Sequence, residues 1–90
     1  MIRKRIICTG HVQGVGFRWR AKKAAEMYGV TGWVRNDWNG SVTMEVQGSE
    51  EQIDQVTVAI RRGMYIRIDA IECRTIPADP DERGFRTEYD

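Results

Sequence analysis

Across the first thirty residues the apolar rhythm of the chain changes from every second residue to every third or fourth, and the change falls on a run of three glycines. Ile6 and Cys8 point one way under a period of two, with Ile7 on the other face, so Arg5 to Thr9 reads as the core of a strand. Phe17, Ala21, Ala24, Ala25 and Tyr28 then fall on one helical face, and the alanines let that helix lie close to a sheet. Between the two lies Gly10-His11-Val12-Gln13-Gly14-Val15-Gly16-Phe17-Arg18. Glycines let the backbone curl and aim N–H groups inward. The helix start adds unpaired donors, and Arg18 adds a planar fork that stays charged at ordinary pH. A strand turned into a helix this way makes a seat for a phosphate-sized anion.

The remaining elements follow from similar signals. Gly29 stops the first helix. Val30 to Asp37 reads as a second strand, and Asn39-Gly40 turns it into a third over Ser41–Gln47. In the third, Val42, Met44 and Val46 alternate with Thr43, Glu45 and Gln47, which suits a sheet covered on one face. Ser49-Glu50-Glu51-Gln52 is a capping box. Ile53, Val56 and Ile60 mark the buried face of a second helix that ends at Arg61, Arg62 and Gly63. Met64 to Ile76 reads mostly as strand, but Ile66, Ile68 and Ile71 break strict alternation, so a bulge or a late strand start is expected. Pro77 to Glu82 is a polar loop, and Phe85, Thr87 and Tyr89 form a short last strand. The order β-α-β-β-α-β plus a final β is an α+β arrangement, with two helices on one face of a mixed, mainly antiparallel sheet.

The chain of 90 residues is one domain over 1–90. Lys plus Arg number 14 and Asp plus Glu 13, a balance that argues against a dedicated nucleic-acid binder. Positive charge gathers early, at Arg3, Lys4, Arg5, Arg18, Arg20, Lys22 and Lys23, so the expected partner is a small anion. The alternative is that these are solvated surface charges. Cys8 and Cys73 read as two buried free thiols, and a disulfide would require their strands to be neighbours. No apolar stretch approaches the ~18 residues of a membrane span, and no leader pattern is seen. A cytoplasmic monomer is the expectation.

The run from Gly10 to Arg18, together with Gly32-Trp33-Val34-Arg35-Asn36 and the hairpin Asn39-Gly40-Ser41-Val42, resembles the acylphosphatase family over nearly the whole chain. The resemblance implies a ferredoxin-like two-layer sandwich that hydrolyses the carboxyl–phosphate bond of acyl phosphates. It implies that Arg18 and Asn36 are the catalytic residues. It makes Gln13, Gly14, Val15, Gly16 and Phe17 the phosphate cradle, closed by Arg18. It implies no metal, no organic cofactor and no phosphoenzyme, with inorganic phosphate or sulfate as competing ligands. The chain departs from the family at His11, where many relatives carry Arg or Lys. It departs again at Gly63-Met64-Tyr65-Ile66-Arg67, which is one residue short up to Ile68 against a common Gly-Pro-Pro pattern. The second departure bears on the loop shape and the start of the fourth strand.

An activated acyl phosphate needs placement and charge stabilisation more than a strong nucleophile. Arg18 would hold two phosphoryl oxygens. As a plain surface arginine it would sit at the unfavourable end of the helix dipole, at a cost of about 0.3–1 kcal/mol. Asn36 can accept from a water and donate to phosphate, or it can cap the hairpin. Gln13 either braces the loop or touches substrate. His11, at the loop entrance, is given no catalytic part. Trp33 is expected to be partly buried, Trp19 to face outward near the site and Trp38 to lie at the hairpin turn. Trp19 and Trp38 either pack on an acyl group or are plain surface aromatics. Asp37, Glu45 and Glu72 have no spacing that demands paired-carboxylate chemistry.

Two other classes compete. One is a noncatalytic anion-binding module, against which the Arg18–Asn36 pair argues. The other is an RNA-binding domain, which needs stacking aromatics where this chain offers Ile7, Thr9, Thr43, Glu45 and Gln47.

Overall fold

The computed structural model describes residues 1–89. Its elements are β1 (Ile2–His11), α1 (Phe17–Tyr28), β2 (Thr31–Asn36), β3 (Val42–Gly48), α2 (Glu50–Arg61), β4 (Arg67–Ile76) and β5 (Phe85–Glu88). They form one sheet in the order β4-β1-β3-β2-β5. All neighbours pair antiparallel except β2 and β5, which run parallel. This is the ferredoxin-like sandwich with one extra edge strand. Neither helix is long and apolar enough to cross a membrane.

The core lies between the sheet and the two helices. Ile6, Cys8, Val34, Val42, Met44 and Val46 are buried from the sheet, and Phe17, Ala21, Ala24, Ala25, Ile53, Val56 and Ile60 from the helices. The predicted stripes are therefore the ones that meet. A slip of one residue in β3 would turn Met44 and its neighbours away from the helices, so their burial fixes the register Ile6↔Met44↔Val34. Gly32 is required by contact: a Cβ there would fall 1.8 Å from the Glu45 carbonyl oxygen across the ladder. Ser49 caps α2 reciprocally with Gln52, as the sequence indicates.

Several expectations are corrected. β1 is longer than its apolar core, because it pairs with β3 from Ile2 and with β4 out to His11. β2 and β3 each lie slightly inside or past the predicted bounds, since the turn takes Asp37 to Ser41. β4 starts only at Arg67, and its register with β1 shifts between Thr9 and Gly10, so a late start and a bulge both occur. Gly63 does not end α2 by left-handed geometry; Arg62 caps the helix in a right-handed conformation. Gly63 instead admits Ile66, whose Cδ1 would lie 2.6 Å from an added Cβ.

Cys8 is buried, but Cys73 is exposed. Cys73 stands opposite Ile6 on the helix-facing side. It lies on the edge strand, however, while α1 covers β2 and β5 and α2 covers β3. The two strands are neighbours, and both thiols are free. Burial pushes the Cys8 thiol up to about 11, against a smaller opposing pull from Arg61.

The polar face of β3 is also less open than alternation suggests, for Thr43 and Gln47 are buried. The 77–84 segment folds back over its Gln47 end, while Thr43 is held by Asp37. Gln47 Nε2 donates to the Asp79 carbonyl at 2.9 Å, and Asp79 N–H donates to Gln47 Oε1 at 2.7 Å. Arg3, only 5% exposed, reaches Glu82 at 3.2 Å and Glu45 at 2.9 Å. This clasp delivers the chain to β5.

Candidate active site

The loop between β1 and α1 curls through Gly14 (φ 72°) and Gly16 (φ 81°). Both need the left-handed region, and an added Cβ at either would meet nothing within 4 Å, so the cost of substitution there is conformational. Gly16 is also the N-cap of α1. No side chain caps that end, and no acid lies in its first turn. The first helical bond runs from Arg20 N–H to the Gly16 carbonyl at 3.0 Å. The N–H groups of Phe17, Arg18 and Trp19 precede it and point out of the helix end. α2 has two acids in its first turn and a full capping box. The contrast leaves the positive pole of α1 open to an external anion.

Arg18 springs from this first turn. Its guanidinium carbon lies 5.2 Å from the centre of the Tyr89 ring, a cation–π distance. No carboxylate among the described residues pairs with it. Asn36 arrives from a different element, the last position of β2, where it pairs with Val42.

Gln13 joins loop and hairpin. Its Nε2 donates to the Asp37 carbonyl at 2.6 Å and to the Ser41 carbonyl at 2.9 Å. The Asp37 carboxylate in turn accepts from Thr43 Oγ1 at 2.6 Å, Ser41 Oγ at 2.9 Å and Arg35 Nε at 3.1 Å. Burial pulls the Asp37 pKa upward, but the Thr43, Ser41 and Arg35 contacts together outweigh it, so the group is held below its ordinary 3.8. Asp37 thus organises the turn that follows Asn36.

These elements enclose a cavity of about 330 Å³, and Gly14, Gly16, Phe17, Arg18 and Asn36 all line it. Gln13 and Val15 of the predicted cradle are not among its lining residues; the Gln13 amide is committed to the hairpin. Trp19 lines the cavity and is 66% exposed, facing outward beside it. Trp38 is 95% exposed at the turn, and Trp33 is half-buried with the Arg35 guanidinium 5.1 Å from its ring centre. His11 is exposed and lies off the cavity. A larger hollow of about 660 Å³ lies on the open sheet face, where Thr9, Asp37, Trp38, Thr43 and Glu72 contribute to it. It also holds Arg35, but beside the carboxylates of Asp37 and Glu72, and it contains neither Arg18 nor Asn36, whereas the smaller cavity has Arg18 and Lys22 and no carboxylate among the described residues. Among the described residues no cluster of three or more His, Cys, Asp or Glu side chains could hold a metal ion.

Sequence reasoning passed over Asp37, Lys22, Thr87 and Tyr89 as site residues. Asp37 had a local signal: Ser41 and Thr43 lie just across a predicted turn, where their hydroxyls can reach back to a carboxylate. Thr87 and Tyr89 had none, because only the parallel pairing of β5 with β2 brings them to the loop.

Comparison with known proteins identifies the family and the fold. The acylphosphatase family profile matches residues 4–87. An acylphosphatase of Clostridium acetobutylicum is 36% identical over 90 residues, covering 99% of each chain. One from Geobacillus thermodenitrificans is 37% identical over 90 residues, covering 99% of this chain and 96% of its own. The crystal structure of acylphosphatase from Bacillus subtilis superposes with a TM-score of 0.90 at 29% identity, over 99% of this chain and 100% of that one. The same fold recurs as 12% of the chain of full-length HypF in its phosphate- and nucleotide-bound form, with a TM-score of 0.84 and 29% identity over 100% of this chain.

Proposed function

Since this chain belongs to the acylphosphatase family and hydrolyses acyl phosphates, we propose that Arg18, the open start of α1 and Asn36 carry out that reaction in the cavity they share. The observation that supports this most is convergence. Residues from a loop, a helix and a distant strand end line one cavity that, among the described residues, holds Arg18 and Lys22 and no carboxylate.

In this reading the phosphoryl group rests on the loop and helix N–H groups, and Arg18 grips two of its oxygens. Asn36 accepts a hydrogen bond from the attacking water and sets it in line with the leaving carboxylate. The water oxygen forms a bond to phosphorus, and the bond from phosphorus to the acyl oxygen breaks. The acyl carboxylate leaves with the electron pair. Asn36 is neutral and cannot take the proton as a base, so a phosphoryl oxygen takes it. The products are a carboxylate and inorganic phosphate. Charge grows on the equatorial oxygens in the transition state, where the fixed donors stabilise it most. Inorganic phosphate and sulfate compete for the same seat, and the chain acts as a cytoplasmic monomer on a free small molecule.

The test is hydrolysis of benzoyl phosphate in metal-free buffer by the wild-type chain, Arg18→Ala and Asn36→Ala, with folding checked by circular dichroism. Arg18→Ala should lose about 100- to 1,000-fold, by analogy with one lost oxyanion donor at about 3–4 kcal/mol. Arg18→Lys should recover little of it, because a point charge does not copy a planar fork. Asn36→Ala should lower kcat far more than it weakens phosphate inhibition. Folded variants that keep wild-type turnover would reject these roles.

A further inference from the structure

The cavity is larger than the phosphoryl group alone requires. Its volume of about 330 Å³ corresponds to about eleven waters at roughly 30 Å³ each. The space beyond the loop is walled by Trp19 and Lys22 from α1 and by Thr87 and Tyr89 from β5 and the residue after it. This is where an acyl group would lie once the phosphate occupies the glycine loop.

Each basic residue of α1 has a distinct position. Arg18 lies at the cavity beneath the Tyr89 ring. Arg20 turns away, donating to the Ala59 carbonyl of α2 at 2.7 Å. The Lys23 ammonium lies over Trp19, 5.8 Å from its ring centre. Of the four, Lys22 alone joins Arg18 in lining the cavity. It follows Arg18 by four residues, so the two side chains rise from one helical face with Cβ atoms about 5–6 Å apart. Lys22 is exposed, and no carboxylate among the described residues pairs with it.

With the phosphate matched to Arg18 and the loop donors, the Lys22 charge is left over on the acyl side. We infer that Lys22 makes this chain selective for acyl phosphates whose acyl group carries a second anion, such as the monophosphate of a short dicarboxylic acid. Trp19 and Tyr89 flank the methylene spacer of such a group. The inference rests on the hydrolase reading and adds to it a substrate class and the residue that sets it.

The experiment compares succinyl phosphate with its methyl ester, which has the same spacer but no second charge. The wild-type chain should favour the free acid by about fivefold in kcat/KM at low salt, the upper range for an exposed ion pair. That ratio should fall toward one in 1 M salt, where the screening length is about 3 Å. Lys22→Gln should bring the ratio to about one at any salt, Lys22→Glu should invert it, and Lys22→Arg should retain it. The ratio cancels a general loss of stability or turnover, which a merely structural lysine would produce equally for both substrates. An unchanged ratio in Lys22→Gln would overturn the inference while leaving the hydrolase reading intact. Absence of turnover on either substrate by the folded wild-type chain would overturn both.

Discussion

Replacing Asp37 by alanine tests whether the turn after Asn36 is held by one carboxylate. The variant removes three contacts, to Thr43 Oγ1, Ser41 Oγ and Arg35 Nε. They are not of equal weight. Ser41 Oγ also lies 2.7 Å from Asn39 Oδ1, so its hydroxyl keeps an acceptor. The Arg35 side chain is about one-third exposed, and such a pair contributes about 0.2–1 kcal/mol. Thr43 is 3% exposed, and its hydroxyl loses a charged acceptor at 2.6 Å. Leaving that group unsatisfied costs about 1–3 kcal/mol. The sum is about 3 kcal/mol. At about 4–8 °C per kcal/mol for a domain of this size, Tm should fall by about 15 °C in calorimetry at pH 7.

The largest of these losses can be isolated. If the orphaned hydroxyl carries the cost, Thr43→Val in the Asp37→Ala background should recover about 1 kcal/mol or more, although Thr43→Val alone destabilises the wild type. The pH dependence has a definite sign. The folded pKa of Asp37 lies below its ordinary 3.8, so its contribution is present in full above that value. It is lost as pH falls through the lower, folded value. The gap between wild type and Asp37→Ala should therefore be constant from pH 5 to 8 and shrink only in acid below about 4. A Tm loss under 3 °C, or no recovery in the double variant, would refute this account.

Gln13→Ala should cost about 1–3 kcal/mol through its two lost bonds and lower kcat by unfastening the loop from the hairpin. Gln13→Glu should be worse on both counts, because a carboxylate facing two carbonyls cannot donate. Arg3→Met should destabilise by about 3 kcal/mol, the lower range for orphaning buried carboxylates, because Glu82 keeps Arg86 at 3.1 Å. Converting Glu45 and Glu82 to Gln in that background should restore more than half, as read by urea unfolding. Cys73 should react within minutes with a disulfide reagent at pH 8, whereas Cys8, buried with its thiol pushed up to about 11, should react only on unfolding.

The fold was legible because each buried stripe announces its own period. Val42, Met44 and Val46 can face one layer only as a strand, and Ile53, Val56 and Ile60 only as a helix. The curl of the β1–α1 loop was legible because Gly14 and Gly16 sit between those periods beside Arg18. The assignment of Asn36 leaned on resemblance, since an asparagine before a turn has an ordinary structural reading. What stayed hidden depends on long-range pairing. Local alternation carries no information about which strand lies at an edge, and that position exposes Cys73. Nor does it show that a polar loop will return to seal Arg3 and Gln47. The far wall of the cavity was hidden for the same reason, because Thr87 and Tyr89 reach the loop only through the parallel docking of β5 on β2.

The edge position of β4 has a consequence for colloidal behaviour. β4 is ten residues long and paired with β1 on one side only, so alternate residues turn unpaired N–H and C=O groups to the margin, where they would normally recruit a strand from another molecule and seed cross-β growth. Here the margin is guarded. Arg67, Asp69, Glu72 and Arg74 place opposite charges along it, and the shift between Thr9 and Gly10 interrupts its straight run. The order of these charges, positive, negative, negative, positive, reads the same from either end, so a second copy docked in register sets like beside like whether it runs parallel or antiparallel. The protection resides in four side chains remote from the cavity. Neutralising them would leave each molecule able to turn over substrate while the solution as a whole lost its resistance to clumping.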